Sequence, residues 1–170
     1  GAAGVGVAHC PSSNMILASG IAPVVDLRAA GCPVGIGCDG SSSADSASLW
    51  QEARLAMLQG KLRSGPDAMA ARDALEVATR GGAGCLGRTG ELGELSVGAA
   101  GDLAVWRLDG PSFAGVLDDP VEGWLRCGPL AAWHTVVAGR VLVEDGELRA
   151  AGLTPMLERH REISRRFQPA

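Results

Sequence analysis

Short apolar runs separated by polar or glycine-rich joints set the pattern of the first ninety residues. Residues 4–9 (GVGVAH) and 34–39 (VGIGCD) are runs of this kind, and each ends in a polar side chain. Apolar runs without clean alternation suit strands buried on both faces of a parallel sheet. Between them, residues 21–30 predict a helix, with Gly31 as its C-terminal stop and Pro33 beyond. Strand, helix, strand is therefore the local unit, and a parallel pair joined in this way needs a right-handed crossover.

A polar loop, Gly40-Ser41-Ser42-Ser43-Ala44-Asp45, leads into a helix predicted over 48–62. Ser48 with Gln51 three residues on fits a capping box, and Leu49, Ala53 and Met57 recur at helical spacing. A second helical stretch covers 71–80, and the glycine-rich run 81–87 lets neighbouring elements approach closely. From Leu92 the pattern changes to short strands: 103–108, 135–138, 140–144 across a turn at Gly139, and 147–149 after the hairpin signal Asp145-Gly146. The tail opens with Thr154-Pro155, read as an N-cap with proline at the first helical position. Met156, His160, Ile163 and Phe167 then fall on one face of an amphipathic helix.

Composition narrows the classes. At 170 residues the chain is too short for a complete eight-stranded α/β barrel, which needs about 250. With 46% hydrophobic residues it is too apolar for disorder, and no run of about 20 apolar residues spans a bilayer. A formal net charge of −4 argues against an electrostatic nucleic-acid binder. Arg159, Arg161, Arg165 and Arg166 read as a solvated helix face. Cys10, Cys32, Cys38, Cys85 and Cys127 are odd in number, without a C-x-x-C pair, so reduced thiols in a cytoplasmic protein are expected. The start, Gly-Ala-Ala-Gly-Val-Gly-Val-Ala-His, reads as a buried strand and not as a signal peptide, as if the chain began in mid-fold.

Parallel α/β folds place working groups at the C-terminal ends of their strands. Two polar residues sit there: His9, which opens His9-Cys10-Pro11-Ser12-Ser13-Asn14, and Asp39, which opens Asp39-Gly40-Ser41. On adjacent strands they share one rim of the sheet. Taken singly, Asp39 reads as a turn residue or as a working carboxylate. His9 reads as a hydrogen-bonded structural residue or as a substrate contact. Ser12, Ser13 and Asn14 read as turn and capping residues or as groups that orient substrate, and Ser41, Ser42 and Ser43 carry the same two readings. Trp50, Trp106, Trp124 and Trp133 are dispersed and read as unpaired core or interface anchors. His134 and His160, without a carboxylate or cysteine at ligand spacing, read as structural.

The run V-A-H-C-P-S-S-N-M, followed about thirty residues later by G-C-D-G-S-S-S, resembles the last two barrel strands of the amidohydrolase superfamily. The resemblance lies with the subgroup of metal-dependent aromatic deaminases and chlorohydrolases. It continues through Ala78-Thr79-Arg80-Gly81-Gly82-Ala83, Gly98-Ala99-Ala100-Gly101-Asp102-Leu103-Ala104 and Val137-Ala138-Gly139-Arg140-Val141. The implied fold is α/β: the last two strands and helices of a (β/α)8 barrel over 1–90, a small β-sandwich-like domain over 91–150, and a C-terminal helix over 151–170.

The resemblance implies that Asp39 is both a ligand of one catalytic divalent metal, normally Zn2+, and the group that accepts a proton from the attacking water. His9, Ser12 and Asn14 are the candidate substrate contacts, although His9 matches a strand that supplies no metal ligand in the family. The family's asparagine near Ala44-Asp45 is absent here. The stretch from Asp118-Asp119-Pro120-Val121 to Cys127-Gly128-Pro129 points within the subgroup to deamination of 8-oxoguanine to urate and ammonia, with guanine or an s-triazine as alternatives. The family's His-x-His pair and its further His and Glu ligands are absent from these residues, so an N-terminal part of the barrel is the expected partner, and a homo-oligomer is expected. The rival class is a non-catalytic module that folds or associates alone, for which two unpaired strands would expose hazardous sheet edges.

Overall fold

The structure is a computed structural model that describes residues 1–116 and 118–167. It is α/β and contains two sheets. The first is a parallel pair, β1 (Val7–His9) and β2 (Val34–Ile36), in the register Val7↔Val34, Ala8↔Gly35 and His9↔Ile36. Between them lie α1 (Pro11–Ile16) and α2 (Val24–Ala29), and Gly31 takes the left-handed conformation expected just past a helix end, at φ 77°. The second sheet is antiparallel, in the order β3 (Leu103–Val105), β4 (His134–Val137), β5 (Arg140–Glu144) and β6 (Glu147–Leu148). Its two tight turns, Ala138-Gly139 and Asp145-Gly146, have positive φ at both central residues, the twist that two-residue hairpins favour.

The helices between the sheets hold the core. Helix α3 (Leu49–Ser64) buries Ala53, Ala56 and Met57, and it packs against α4 (Ala71–Glu76) and α6 (Pro120–Arg126). Met57, Met69, Val77 and Leu125 are almost fully enclosed. Each such side chain contributes about 1.5–3 kcal/mol, whereas an exposed ion pair such as Arg72–Asp119 adds little. Apolar burial therefore fixes the helices, and directional bonds set their orientation. The Trp50 indole N–H donates to the Trp124 carbonyl at 3.0 Å. Arg54 donates to the Leu125 and Arg126 carbonyls at 3.0 and 2.9 Å, closing the C-terminus of α6. In return, Glu122 of α6 accepts the Ala71 N–H at 2.9 Å, at the start of α4. Helix α6 belongs to the stretch after Leu92, yet it shares the core of the earlier helices.

Several expectations are corrected. The first strand begins at Val7, because the six residues before it are exposed, and the second ends at Ile36. Burial on both faces does not hold for β1, where Ala8 is exposed. Pro23 sits at the N-cap of α2, so that helix starts at Val24. Leu49 is half exposed, and the buried stripe of α3 instead includes Glu52. Ser48 accepts from the Gln51 N–H at 3.3 Å, but the Ser48 N–H turns to Ser46, so only half of a capping box forms. The glycine run is helical: α4 passes into a π-helical turn, Val77–Gly81, and then α5 (Gly82–Cys85).

Strand β3 stops at Val105, three residues early. Trp106 and Trp124 do pair, edge to face, with centroids 5.1 Å apart. His134 also has a carboxylate neighbour, with Nε2 3.8 Å from Asp145. The terminal helix α7 (Leu153–Arg165) is capped by Gly152 and not by Thr154, and none of its residues is buried. The last three residues of the stretch expected as helix, 168–170, lie outside the described residues.

The glycine run supplies a sharp test of packing. A Cβ at Gly81 would stand 2.0 Å from the Val34 carbonyl oxygen on β2, whereas one at Gly82 meets nothing within 4 Å. Gly81→Ala is expected to destabilise the chain by about 1–3 kcal/mol or more in urea unfolding. Gly82→Ala, in a helix with open space, is expected to be neutral or stabilising by up to about 1 kcal/mol. Equal effects from the two would contradict this packing of the helix against β2.

Candidate active site

Parallel pairing places His9 and Ile36 side by side, so the loops that follow β1 and β2 leave the sheet at the same rim. After β2 the chain reaches Asp39 with φ at 61°, a left-handed turn that Asp tolerates better than most residues. That turn folds the carboxylate back, and Asp39 Oδ1 accepts the Gly40 N–H at 2.7 Å. After β1, Pro11 starts α1 and puts Ser12 and Ser13 in its first turn.

Ser13 crosses between the loops. Its hydroxyl donates to Asp39 Oδ2 at 2.6 Å, and Ser13 Oγ lies 3.0 Å from Ser43 Oγ. A hydroxyl has one proton, and with that of Ser13 on the carboxylate, the Ser43 proton is shared in a three-centre bond between Ser13 Oγ and Asp39 Oδ2. Ser43 Oγ is also 3.5 Å from Asp39 Oδ2. Both serines are buried while Asp39 is exposed, so the carboxylate is gripped from beneath and open above. The Ser13 hydroxyl, followed by the Gly40 N–H and Ser43, holds the Asp39 carboxyl below the usual carboxylate range.

The other candidates divide. His9 is 2% exposed, and its Nδ1 has no partner among the described residues. Burial lowers its pKa, against an opposing pull from the charge of Glu52, so the neutral imidazole is favoured. Ser12 is also buried, with its Oγ unpartnered among the described residues, and its backbone N–H donates to Glu52 Oε2 at 2.9 Å. Asn14 makes backbone bonds within and after α1, its N–H to Cys10 and its carbonyl from Ser19. The structure thus brings Ser13, Ser43 and Asp39 together and draws Ser12 toward Glu52.

Glu52 carries no motif in the sequence and is the functional-looking residue that spacing misses. Its one legible signal is a carboxylate at a position adjacent to Ala53 on the inward face of α3. Near it, burial pushes the thiols of Cys10 and Cys38 up, and the charge of Glu52 adds to both. Asp39 also raises Cys10.

Asp39 is suited to donate one oxygen to a divalent cation: it is ionised, held rigidly, and reachable from solvent. Among the described residues, no group of three or more His, Cys, Asp or Glu side chains could hold a metal ion. Asp39 therefore fits as one ligand of a set and not as a complete site. Among the described residues, no helix is long and apolar enough to cross a membrane.

Comparison with known proteins bears out the family resemblance. The profile of the amidohydrolase family matches residues 2–141. An 8-oxoguanine deaminase from Pseudomonas aeruginosa is 45% identical over 161 residues, which cover 95% of this chain and 35% of that protein. A zinc-containing crystal structure of an adenosine deaminase from Xanthomonas campestris superposes with a TM-score of 0.87 at 28% identity, over 95% of this chain and 37% of that one. A variant of atrazine chlorohydrolase from Arthrobacter aurescens, complexed with zinc and atraton, gives a TM-score of 0.85 at 36% identity, again over 95% of this chain and 36% of its own. The chain spans about a third of the length of the relatives it matches.

The grip on Asp39 has a pH signature. A carboxyl whose folded pKa lies below its unfolded value stabilises the fold above the unfolded pKa, and that stability is lost as pH falls through the folded pKa. Ser13→Ala removes the largest cause of the depression. Side-chain carboxyl NMR of Asp39 is expected to show its titration moving up toward the ordinary aspartate range in that variant. An unchanged titration would mean that the Ser13 hydroxyl does not hold the carboxylate.

Proposed function

This chain belongs to the amidohydrolase family, and from that premise we propose that it forms the Asp39 side of a zinc-dependent hydrolytic deaminase acting on an aminated purine. In this reading β1 and β2 are the last two strands of a (β/α)8 barrel contained in residues 1–90. Residues 91–150 form the small β domain and 151–170 the C-terminal helix. Among the described residues the β1–β2 pair has open outer edges, which supports it, because parallel sheets are rarely left with both edges bare. The remaining metal ligands and most substrate contacts then come from an N-terminal part of the barrel, and the complete enzyme works in the cytoplasm as a homo-oligomer.

The observation that carries the reading is the serine-held, exposed carboxylate of Asp39 at the C-terminal end of a parallel strand. Zinc, when bound, supplies Lewis acidity and lowers the pKa of water toward ~7. Asp39 does the proton work: its free lone pairs take a proton from the attacking water and return it to the departing amine, which leaves as ammonia. Ser13 and Ser43 keep its carboxylate oriented for both transfers. The identity with an 8-oxoguanine deaminase favours 8-oxoguanine as substrate, with urate and ammonia as products. Guanine and s-triazines are the competing substrates within the same mechanism.

Ammonia release by the zinc-loaded full-length protein tests this directly, with 8-oxoguanine, guanine, adenosine and an aminated s-triazine offered in parallel. The expected result is the highest kcat/KM with 8-oxoguanine, and a loss of roughly 10²–10⁴-fold in Asp39→Asn. Undiminished turnover in Asp39→Asn would overturn the role of that carboxylate, and preference for another ring would overturn the substrate.

A further inference from the structure

Glu52 sits in the first turn of α3 with only 1% of its surface exposed, among the buried residues of that helix with Ala53, Ala56 and Met57. A carboxylate in such surroundings is costly unless something uses its charge. The user here is α1. The residue at the N-cap of that helix, Cys10, makes no side-chain cap bond, and the first N–H groups of a helix have no intrahelical acceptor. Glu52 Oε2 accepts one of them, from Ser12, at 2.9 Å. The next residue in the chain is Ser13, whose hydroxyl is on Asp39 at 2.6 Å. Ser13 is 2% exposed, so the direction of its hydroxyl is set by the backbone turn that Glu52 clamps.

We propose that Glu52 is a positioning residue of the metal site: by holding the Ser12 N–H it fixes the first turn of α1 and so keeps the Ser13 hydroxyl on the Asp39 carboxylate. The inference rests on Asp39 being a zinc ligand, as argued above. The line of contact runs from α3 to α1 to the loop after β2, three elements far apart in sequence. It assigns a function to a buried charge that the deamination chemistry does not itself require.

The test times zinc release from the full-length holoprotein to an excess of chelator, in the wild type and in Ser13→Ala, Glu52→Leu, Glu52→Gln and the Ser13→Ala/Glu52→Leu pair. Ser13→Ala and Glu52→Leu are each expected to speed release about tenfold or more, the usual cost of losing a group that orients a ligand. Glu52→Gln keeps an oxygen for the Ser12 N–H and is expected to stay within about threefold of wild type. Because Glu52 acts through Ser13, the double variant is expected to release zinc no faster than Ser13→Ala alone.

A Glu52 that merely supports the fold would give singles whose effects multiply, or a lowered Tm with unchanged zinc release. Either result overturns the proposal. If Glu52→Leu does not fold, Glu52→Asp, which withdraws the acceptor by one methylene, carries the same expectation. Asp39→Asn separates the two layers. If it retains zinc like the wild type, the reading of Asp39 fails and the role of Glu52 fails with it. If it loses zinc while Glu52→Leu does not, only the role of Glu52 fails.

Discussion

The parallel pairing of β1 with β2 is the constraint on which the rest of the site depends. Three residue pairs, Val7↔Val34 to His9↔Ile36, bring two loops that are some thirty residues apart in the chain to one rim. Only then can the buried Ser13 meet Asp39, with a hydroxyl-to-carboxylate bond of 2.6 Å. Such short bonds to an ionised acceptor are about twice as strong as neutral ones. A slip of the strand register by one residue would turn every side chain of β1 to the opposite face and separate the two loops' partners.

Helix α3 links this rim to the remainder of the molecule. It contributes apolar surface through Ala53, Ala56 and Met57, and polar connections in two directions. Toward the strands, Glu52 closes the start of α1. Toward α6, Arg54 and Trp50 take three bonds to backbone carbonyls. Capping across elements recurs at α4, whose first turn is met by Glu122 from α6. Short helices of six or seven residues are marginal in isolation, and α1, α4 and α6 each have one end completed by a side chain from a neighbouring helix.

How far the sequence foretold this depends on whether a feature is local. Asp39 was legible because it combines a strand end, an Asp-Gly turn and a recognisable surrounding motif. The hairpins at Gly139 and Asp145-Gly146 were legible because positive φ at adjacent residues leaves a strong composition signal. Ser13 was visible only as one of three equivalent-looking residues, since its difference from Ser12 is the direction each takes in the first turn of α1. Glu52 and the Trp106–Trp124 pair were not legible, because each depends on contacts between elements distant in the chain. The close approach that the glycine run permits was legible, but its helical form was not, because tertiary packing against β2 overrides low helix propensity at Gly81 and Gly82.

The proposed role of Asp39, held by Ser13, is that of a ligand of the catalytic metal. Anomalous diffraction at the zinc edge from crystals of the full-length holoprotein measures this without reference to activity. The expected result is a zinc peak with an Asp39 carboxylate oxygen about 2.0–2.2 Å away, the Ser13 hydroxyl still donating to that carboxylate. A zinc ion bound elsewhere, with Asp39 outside its coordination sphere, would contradict it.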